Sequence, residues 1–244
     1  MPTPALSAPN RTVAARARAI CRHLKANGSP EHAAGVQGFF KEHVRSYGWY
    51  TAPLRAYART VHRELAADPA MLLAVAETLF ASPVLEEKVV AVTMLQPSLR
   101  RFGAGEFRRF ARWLDHVSSW ADHDALAMFL LGPLMADHPA DVRRVFGWAR
   151  ARDRWHRRAA AVSLIHGVRR GLFAGEATRV THALAGDGDD MVQKGLGWLL
   201  REWGKVRPAE TEPLLLHIRG RTSRLVLRTA CERLPAAART RVLG

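Results

Sequence analysis

Apolar residues return along this chain every three or four positions, and period-two alternation is scarce. Val192, Leu196, Leu199, Leu200 and Trp203 form one such stripe, the spacing that keeps side chains on a single face of an α-helix. The pattern predicts helices over residues 12–26, 30–46, 52–66, 69–81, 84–96, 105–117, 120–136, 139–150, 153–170, 175–185, 189–205, 208–219 and 222–234. Punctuation sets several limits. Ser29-Pro30-Glu31 reads as an N-cap with proline at the first helical position, and Ser82-Pro83 reads the same way. Gly48 suits a left-handed close to the helix ending at Tyr47. Ser119-Trp120-Ala121-Asp122 resembles a capping box with Asp for Glu, which puts Trp120 in the first turn and Asp124 in the second.

Residues 1–11, rich in Pro and Ala, are expected to be a disordered tail, and residues 12–244 a single all-α domain. Helices taken in pairs give units of about 35–45 residues, the size of HEAT-like antiparallel helix pairs stacked into a solenoid. Trp120 and Trp155 repeat the interval between Trp113 and Trp148. A compact, non-repeating bundle fits the same lengths.

Charge changes the picture next. The 244 residues carry 37 Lys+Arg against 22 Asp+Glu, a formal net charge of +15. The excess lies at the ends: 13 basic and 7 acidic over residues 1–104, 13 and 11 over 105–190, and 11 and 4 over 191–244. A polyanion partner accounts for such an excess, because cations at a phosphate backbone release condensed counterions. The two cysteines, Cys21 and Cys231, form no metal or disulfide spacing. No apolar leader is visible near the start. The most apolar run, Leu126–Met135, is interrupted by Gly132-Pro133 and too short to span a bilayer, so a cytoplasmic setting without a membrane partner is expected.

Several chemistries are disfavoured. P-loop, Gly-x-Ser-x-Gly and His-Glu-x-x-His patterns are absent, and Gly103-Ala104-Gly105 lacks the strand of a dinucleotide loop. Asp187-Gly188-Asp189-Asp190 has no closing glutamate for a calcium loop and reads as a turn and helix cap. No cofactor and no metal are called for. His116, His123 and His156 read as surface imidazoles.

Three local sets stand out. Trp120 and Asp124, four apart on one helix, bring an indole beside a carboxylate, whether as a site or as a half-buried Trp with a dipole-favouring Asp. Trp155-His156-Arg157-Arg158 opens a helix, with Arg154, Arg157 and Arg158 placed to grip phosphate and Trp155 placed to pack. Lys194, Trp198, Arg201 and Lys205 share the helix face opposite the apolar stripe, either an aromatic platform between phosphate-binding cations or a core Trp flanked by snorkelling charges.

Trp120-Ala-Asp-His-Asp124, Trp155-His-Arg-Arg158 and Gln193-Lys194-Gly-Leu-Gly-Trp198-Leu-Leu-Arg201-Glu202 resemble the AlkD family of DNA alkylation-repair glycosylases. Phe39-Phe40-Lys41-Glu42-His43, Tyr47-Gly48, Thr51 and Arg55 resemble that family's N-terminal helices, and the likeness runs over residues 30–207. The resemblance implies a HEAT-like solenoid with a concave basic face, acting as a monomer on double-stranded DNA. The implied activity is hydrolysis of the N-glycosidic bond of N3- and N7-alkylated purines, in base excision repair, without flipping the base. The family's catalytic aspartate falls on Asp124, its two site tryptophans on Trp120 and Trp198, and its arginine on Arg158. Arg154, Lys194, Arg201, Lys41 and Phe39 complete the expected DNA-binding set. Ser119 stands where relatives can carry a second Trp, Phe39 where they carry Tyr, and Tyr50 in place of a polar residue, which bears on lesion preference. Two other classes fit less of the pattern: a non-catalytic binder of distorted or branched DNA, and a HEAT-like protein-interaction scaffold.

Overall fold

The computed structural model describes the backbone from Ala8 to Gly244 and side chains from Thr12 onward. The tail expected over residues 1–11 thus falls largely outside the described residues, and the first helix starts at Ala8. The helices are α1 (Ala8–Ala26), α2 (Pro30–Gln37), α3 (Thr51–Leu65), α4 (Pro69–Phe80), α5 (Leu85–Leu95), α6 (Ala104–Arg112), α7 (Trp120–Leu126), α8 (Gly132–Asp137), α9 (Arg144–Trp148), α10 (Arg154–Val162), α11 (Ile165–Arg169), α12 (Ala174–Leu184), α13 (Asp190–Val206), α14 (Pro208–Ile218), α15 (Arg224–Cys231) and α16 (Ala236–Leu243). Among the described residues there is no strand, only an isolated parallel bridge between Arg45 and Val84. None of these helices is long and apolar enough to cross a membrane. The fold is all-α, as the periodicity predicts.

The chain gathers into two compact units. One runs up to Arg101 and adds Asp115–Ala125; the other joins Phe102–Leu114 to Leu126–Gly244. In the first, α5 packs on α3 and α4, and α4 on α1, around Leu24, Leu72, Leu79, Phe80, Met94 and Leu95. In the second, α13 is the central helix, packed by α10, α11, α14 and α15. Its stripe of Val192, Leu196, Leu199, Leu200 and Trp203 is buried as its spacing predicts. Each such side chain removed from water contributes about 1.5–3 kcal/mol.

Departures from the expected limits have local causes. The helix expected over 30–46 stops at Gln37. Gly35 and Gly38 weaken helical propensity there, and side chains described below satisfy the following backbone instead. Gly48 does adopt the left-handed conformation, at φ 80°, but within that loop and not at a helix end. A Cβ on it would lie 1.9 Å from the Ser29 carbonyl oxygen, so only glycine fits. Ser29 caps α2 as expected, its Oγ accepting from His32 N at 3.1 Å. Ser82-Pro83 instead makes a turn in which Ser82 Oγ accepts from Val84 N, and α5 begins two residues later than that cap would place it. The run 153–170 is broken at Ser163-Leu164, where a 3₁₀ step takes Leu164 N to the Ala161 carbonyl. Helix α16 went unpredicted: it is short and buries only Ala238 and Val242, too faint a stripe to read.

Candidate functional site

The start of α7 is built around a buried ion pair. Lys88 points from α5 to Asp122, Nζ to Oδ2 2.9 Å, with both side chains almost wholly excluded from water. Lys88 also donates to Ser118 Oγ at 3.1 Å and to the His116 carbonyl oxygen. Asp122 accepts from the backbone N–H groups of Ser118 and Ser119 at 2.9 and 2.7 Å and from both seryl hydroxyls. The capping box is therefore present in its carboxylate half, with Asp122 reaching back to the N-cap backbone as a Glu would. Burial alone would raise the Asp122 pKa. The charge of Lys88, with hydrogen bonds from Ser119, Lys88 and Ser118, outweighs it and holds the carboxyl below its ordinary value.

A depressed folded-state pKa makes the stabilisation by Asp122 fully present above the unfolded value of about 3.9 and lost as pH falls through the folded one. Urea midpoints measured from pH 7 to pH 2 are thus expected to hold steady down to about pH 4 and then fall. The fall is expected to be shallower in Asp122→Asn; equal slopes in the two proteins would remove Asp122 from that account.

The chain leaving this anchor carries Trp120, His123 and Asp124. Trp120 is half-buried, stacked on Phe40 with ring centroids 5.1 Å apart, and its Nε1 donates to the Phe39 carbonyl oxygen at 3.4 Å. The Asp124 side chain is 19% exposed, and its Oδ1 lies 2.7 Å from His123 Nδ1. His123 is not the surface imidazole expected; it is completely buried. His116 is exposed and His156 half-buried against Asp153.

The aromatic loop after α2 is ordered from within by two side chains. The Gln37 amide donates to the carbonyls of Phe40 and Glu42 and accepts from Val44 N. Glu86, buried in the first turn of α5, accepts from Ser46 Oγ at 2.6 Å and from the N–H groups of Tyr47, Gly48 and Trp49. The loop presents Phe39, 75% exposed, with Lys41 also on the surface. Trp49 is tied inward, Nε1 to the Leu24 carbonyl, whereas Tyr50 stacks on His32 at the surface.

The second unit holds the remaining expected residues. Arg158 is buried at 5% exposure, and its Nη1 donates to the Met191 carbonyl at 2.5 Å. Gly195 makes room for it, since a Cβ there would come within 3.0 Å of Arg158 Cγ. Arg154 lies over the Trp155 ring at 4.6 Å and 3.6 Å from the Asp189 carboxylate. Trp155 is buried, a packing residue as expected. Lys194, Trp198, Arg201 and Lys205 do share the outer face of α13, but its cations are engaged: Lys194 with Asp190, Arg201 with Glu202 and Glu232, Lys205 with Glu202. Trp198 is half-buried, and its Nε1 is enclosed without a hydrogen-bond partner. Asp187 pairs with Arg157, and Asp189 caps α13 through Met191 N and Val192 N, so the acidic run is turn and cap. Among the described residues no group of three or more His, Cys, Asp or Glu could hold a metal ion. Cys21, raised to about 12 by burial and by the charge of Glu87, is no ready nucleophile.

Trp120 and Asp124 are thus brought together in the first unit with Phe39 and Phe40, and Arg158 packs against α13 in the second. Lys88, Gln37 and Glu86 were missed from sequence; Asp122 was read only as a cap and His123 as a surface imidazole. Lys88 did leave a signal: with Ala91, Val92 and Leu95 it falls on the apolar stripe of α5.

A family model described as DNA alkylation repair enzyme matches residues 20–234. The chain belongs to that family. A solved structure, a predicted DNA alkylation repair enzyme from Enterococcus faecalis, matches with a TM-score of 0.77 over 86% of this chain and 97% of that one. At 21% identity, that likeness establishes the shared fold. No curated protein matches the chain. The AlkD-like resemblance read from the Trp120, Trp155 and Gln193 segments is borne out at the level of the family, and DNA alkylation repair is the family's role.

Proposed function

We propose that the protein is a DNA glycosylase that hydrolyses the N-glycosidic bond of N3- and N7-alkylated purines in duplex DNA, with Asp124 as its catalytic carboxylate. The observation that carries this reading is the partly exposed Asp124 carboxylate one helical turn from Trp120, in a member of the DNA alkylation repair enzyme family. Alkylation at N3 or N7 makes a purine cationic, so the base departs neutral and needs no proton from the enzyme. The general acid of ordinary glycosidases is then dispensable, and one anion suffices. As the bond breaks, positive charge moves onto the deoxyribose. Asp124 stabilises that charge and takes the proton of the attacking water. The electron-rich face of Trp120 adds cation–π attraction of about 0.5–2 kcal/mol.

The resemblance supplies the roles of two further residues: an aromatic face toward the sugar for Trp198, and a guanidinium toward the phosphate for Arg158. Lys41, Arg154, Lys194 and Arg201 serve the backbone phosphates, and the last three must exchange a protein carboxylate for a phosphate in doing so. Contact with sugar and phosphate leaves the lesion in the stack, without base flipping. The chemistry calls for no cofactor.

The test is incubation of the protein with duplexes carrying a single 7-methylguanine or 3-methyladenine, with the released base identified by chromatography. The free alkylated base is expected, and unmodified purines stay in place. Salt-sensitive binding with no release at stoichiometric protein would instead make this chain a non-catalytic DNA binder.

A further inference from the structure

We propose that His123 is a positioning residue for Asp124: its buried imidazole holds one carboxylate oxygen and thereby fixes where the other meets the sugar. This rests on the glycosylase reading for its consequence, though not for the contact itself. Neighbouring residues on a helix do not ordinarily face each other. The 2.7 Å approach of His123 Nδ1 to Asp124 Oδ1 therefore requires the imidazole to turn along the helix toward the next side chain. The ring has no freedom to leave, being fully buried. Its backbone is held too, with His123 N donating to the Ser119 carbonyl at 3.1 Å and to Asp122 Oδ1 at 3.2 Å. The anchor of Lys88 and Asp122 thus extends through His123 to the carboxylate.

The proton in this contact has one place to be. An ionised carboxylate only accepts, so Nδ1 carries the hydrogen. Where a carboxylate orients an imidazole in acyl-transfer triads, the order here is inverted, and the imidazole orients the carboxylate. A charge-assisted hydrogen bond of this kind is short and directional. It holds Oδ1 and leaves the orientation of Oδ2 determined. A misplacement of about 1 Å at a reacting group is enough to slow chemistry by about 100-fold.

The experiment combines a spectroscopic signature with rescue. In ¹⁵N-histidine-labelled protein, His123 is expected as the Nδ1–H tautomer, and Asp124→Ala is expected to shift it toward Nε2–H. His123→Asn, whose side-chain amide places an N–H near the Nδ1 position, is expected to retain single-turnover base release within about 5-fold of wild type. His123→Leu is expected to lose about 100-fold with unchanged affinity for lesion-bearing duplex. An Nε2–H tautomer in the wild-type protein overturns the proposal, as does a His123→Leu variant that releases base at the wild-type rate. If His123→Asn and His123→Leu fall equally, the imidazole is serving packing and the proposal fails. Absence of base release from the wild-type protein itself would sink the glycosylase reading alone, and the tautomer would then decide the pairing.

Discussion

Asp124→Asn is expected to release 7-methylguanine from duplex DNA about 100–1,000-fold more slowly than the wild-type protein, the loss typical of removing one preorganised electrostatic contact. The substitution is informative because of what it preserves. Asn matches the volume of Asp, and its carbonyl oxygen can still accept from His123 Nδ1, so the bond at 2.7 Å survives without the charge. A structural role for Asp124 would leave the rate unchanged; a charge-stabilising role would not. DNA affinity should be retained, since the carboxylate repels phosphate. Single-turnover release and equilibrium binding measured on the same duplex separate these terms. An Asn variant as fast as wild type would mean that the chemistry lies elsewhere.

The second large effect is on stability. Lys88→Met is expected to destabilise the fold by about 3–5 kcal/mol, because it strands a buried carboxylate without its cation. Asp122 has no access to water, and hydrogen bonds from Ser118, Ser119 and the His123 N–H would have to hold its charge without a cation. Lys88→Met with Asp122→Leu tests the reason. In many buried pairs such a double replacement is close to neutral. Here the Ser118 and Ser119 N–H groups would lose their acceptor, so the double variant should stay less stable than wild type. Urea midpoints of the single and double variants measure this, and a single variant within about 1 kcal/mol of wild type would show that the pair contributes little.

Helix existence was legible because burial imposes a stripe: that of α13 could be named residue by residue, and its outward Lys194, Trp198, Arg201 and Lys205 with it. Trp120 and Asp124 were legible through their four-residue spacing and the capping pattern before them. What escaped was structure made by side chains acting on backbone. The loop after Gln37 replaces helical hydrogen bonds with those of Gln37 and Glu86, and no periodicity reports an amide that serves a strip of chain seven residues long. The depth of His123 escaped because a polar residue between two aspartates gives no sign of burial. The second partner of Arg201 escaped because Glu232 lies 31 residues further along the chain, beyond α15.

Two residues of α5, Glu86 and Lys88, have different duties. Glu86 secures the far end of the aromatic loop, and Lys88, one residue beyond Glu87, secures the beginning of α7. Neither fastening involves Phe39 or Lys41, whose stretch is braced separately by Gln37. The loop and α7 meet at Trp120, which stacks on Phe40 and donates to the Phe39 carbonyl oxygen. On the proposed glycosylase reading, the exposed Phe39 side chain, which meets Trp120 only through its backbone carbonyl, is therefore the place to begin when diversifying the protein toward bulkier damage, with Phe40 kept beneath the Trp120 ring.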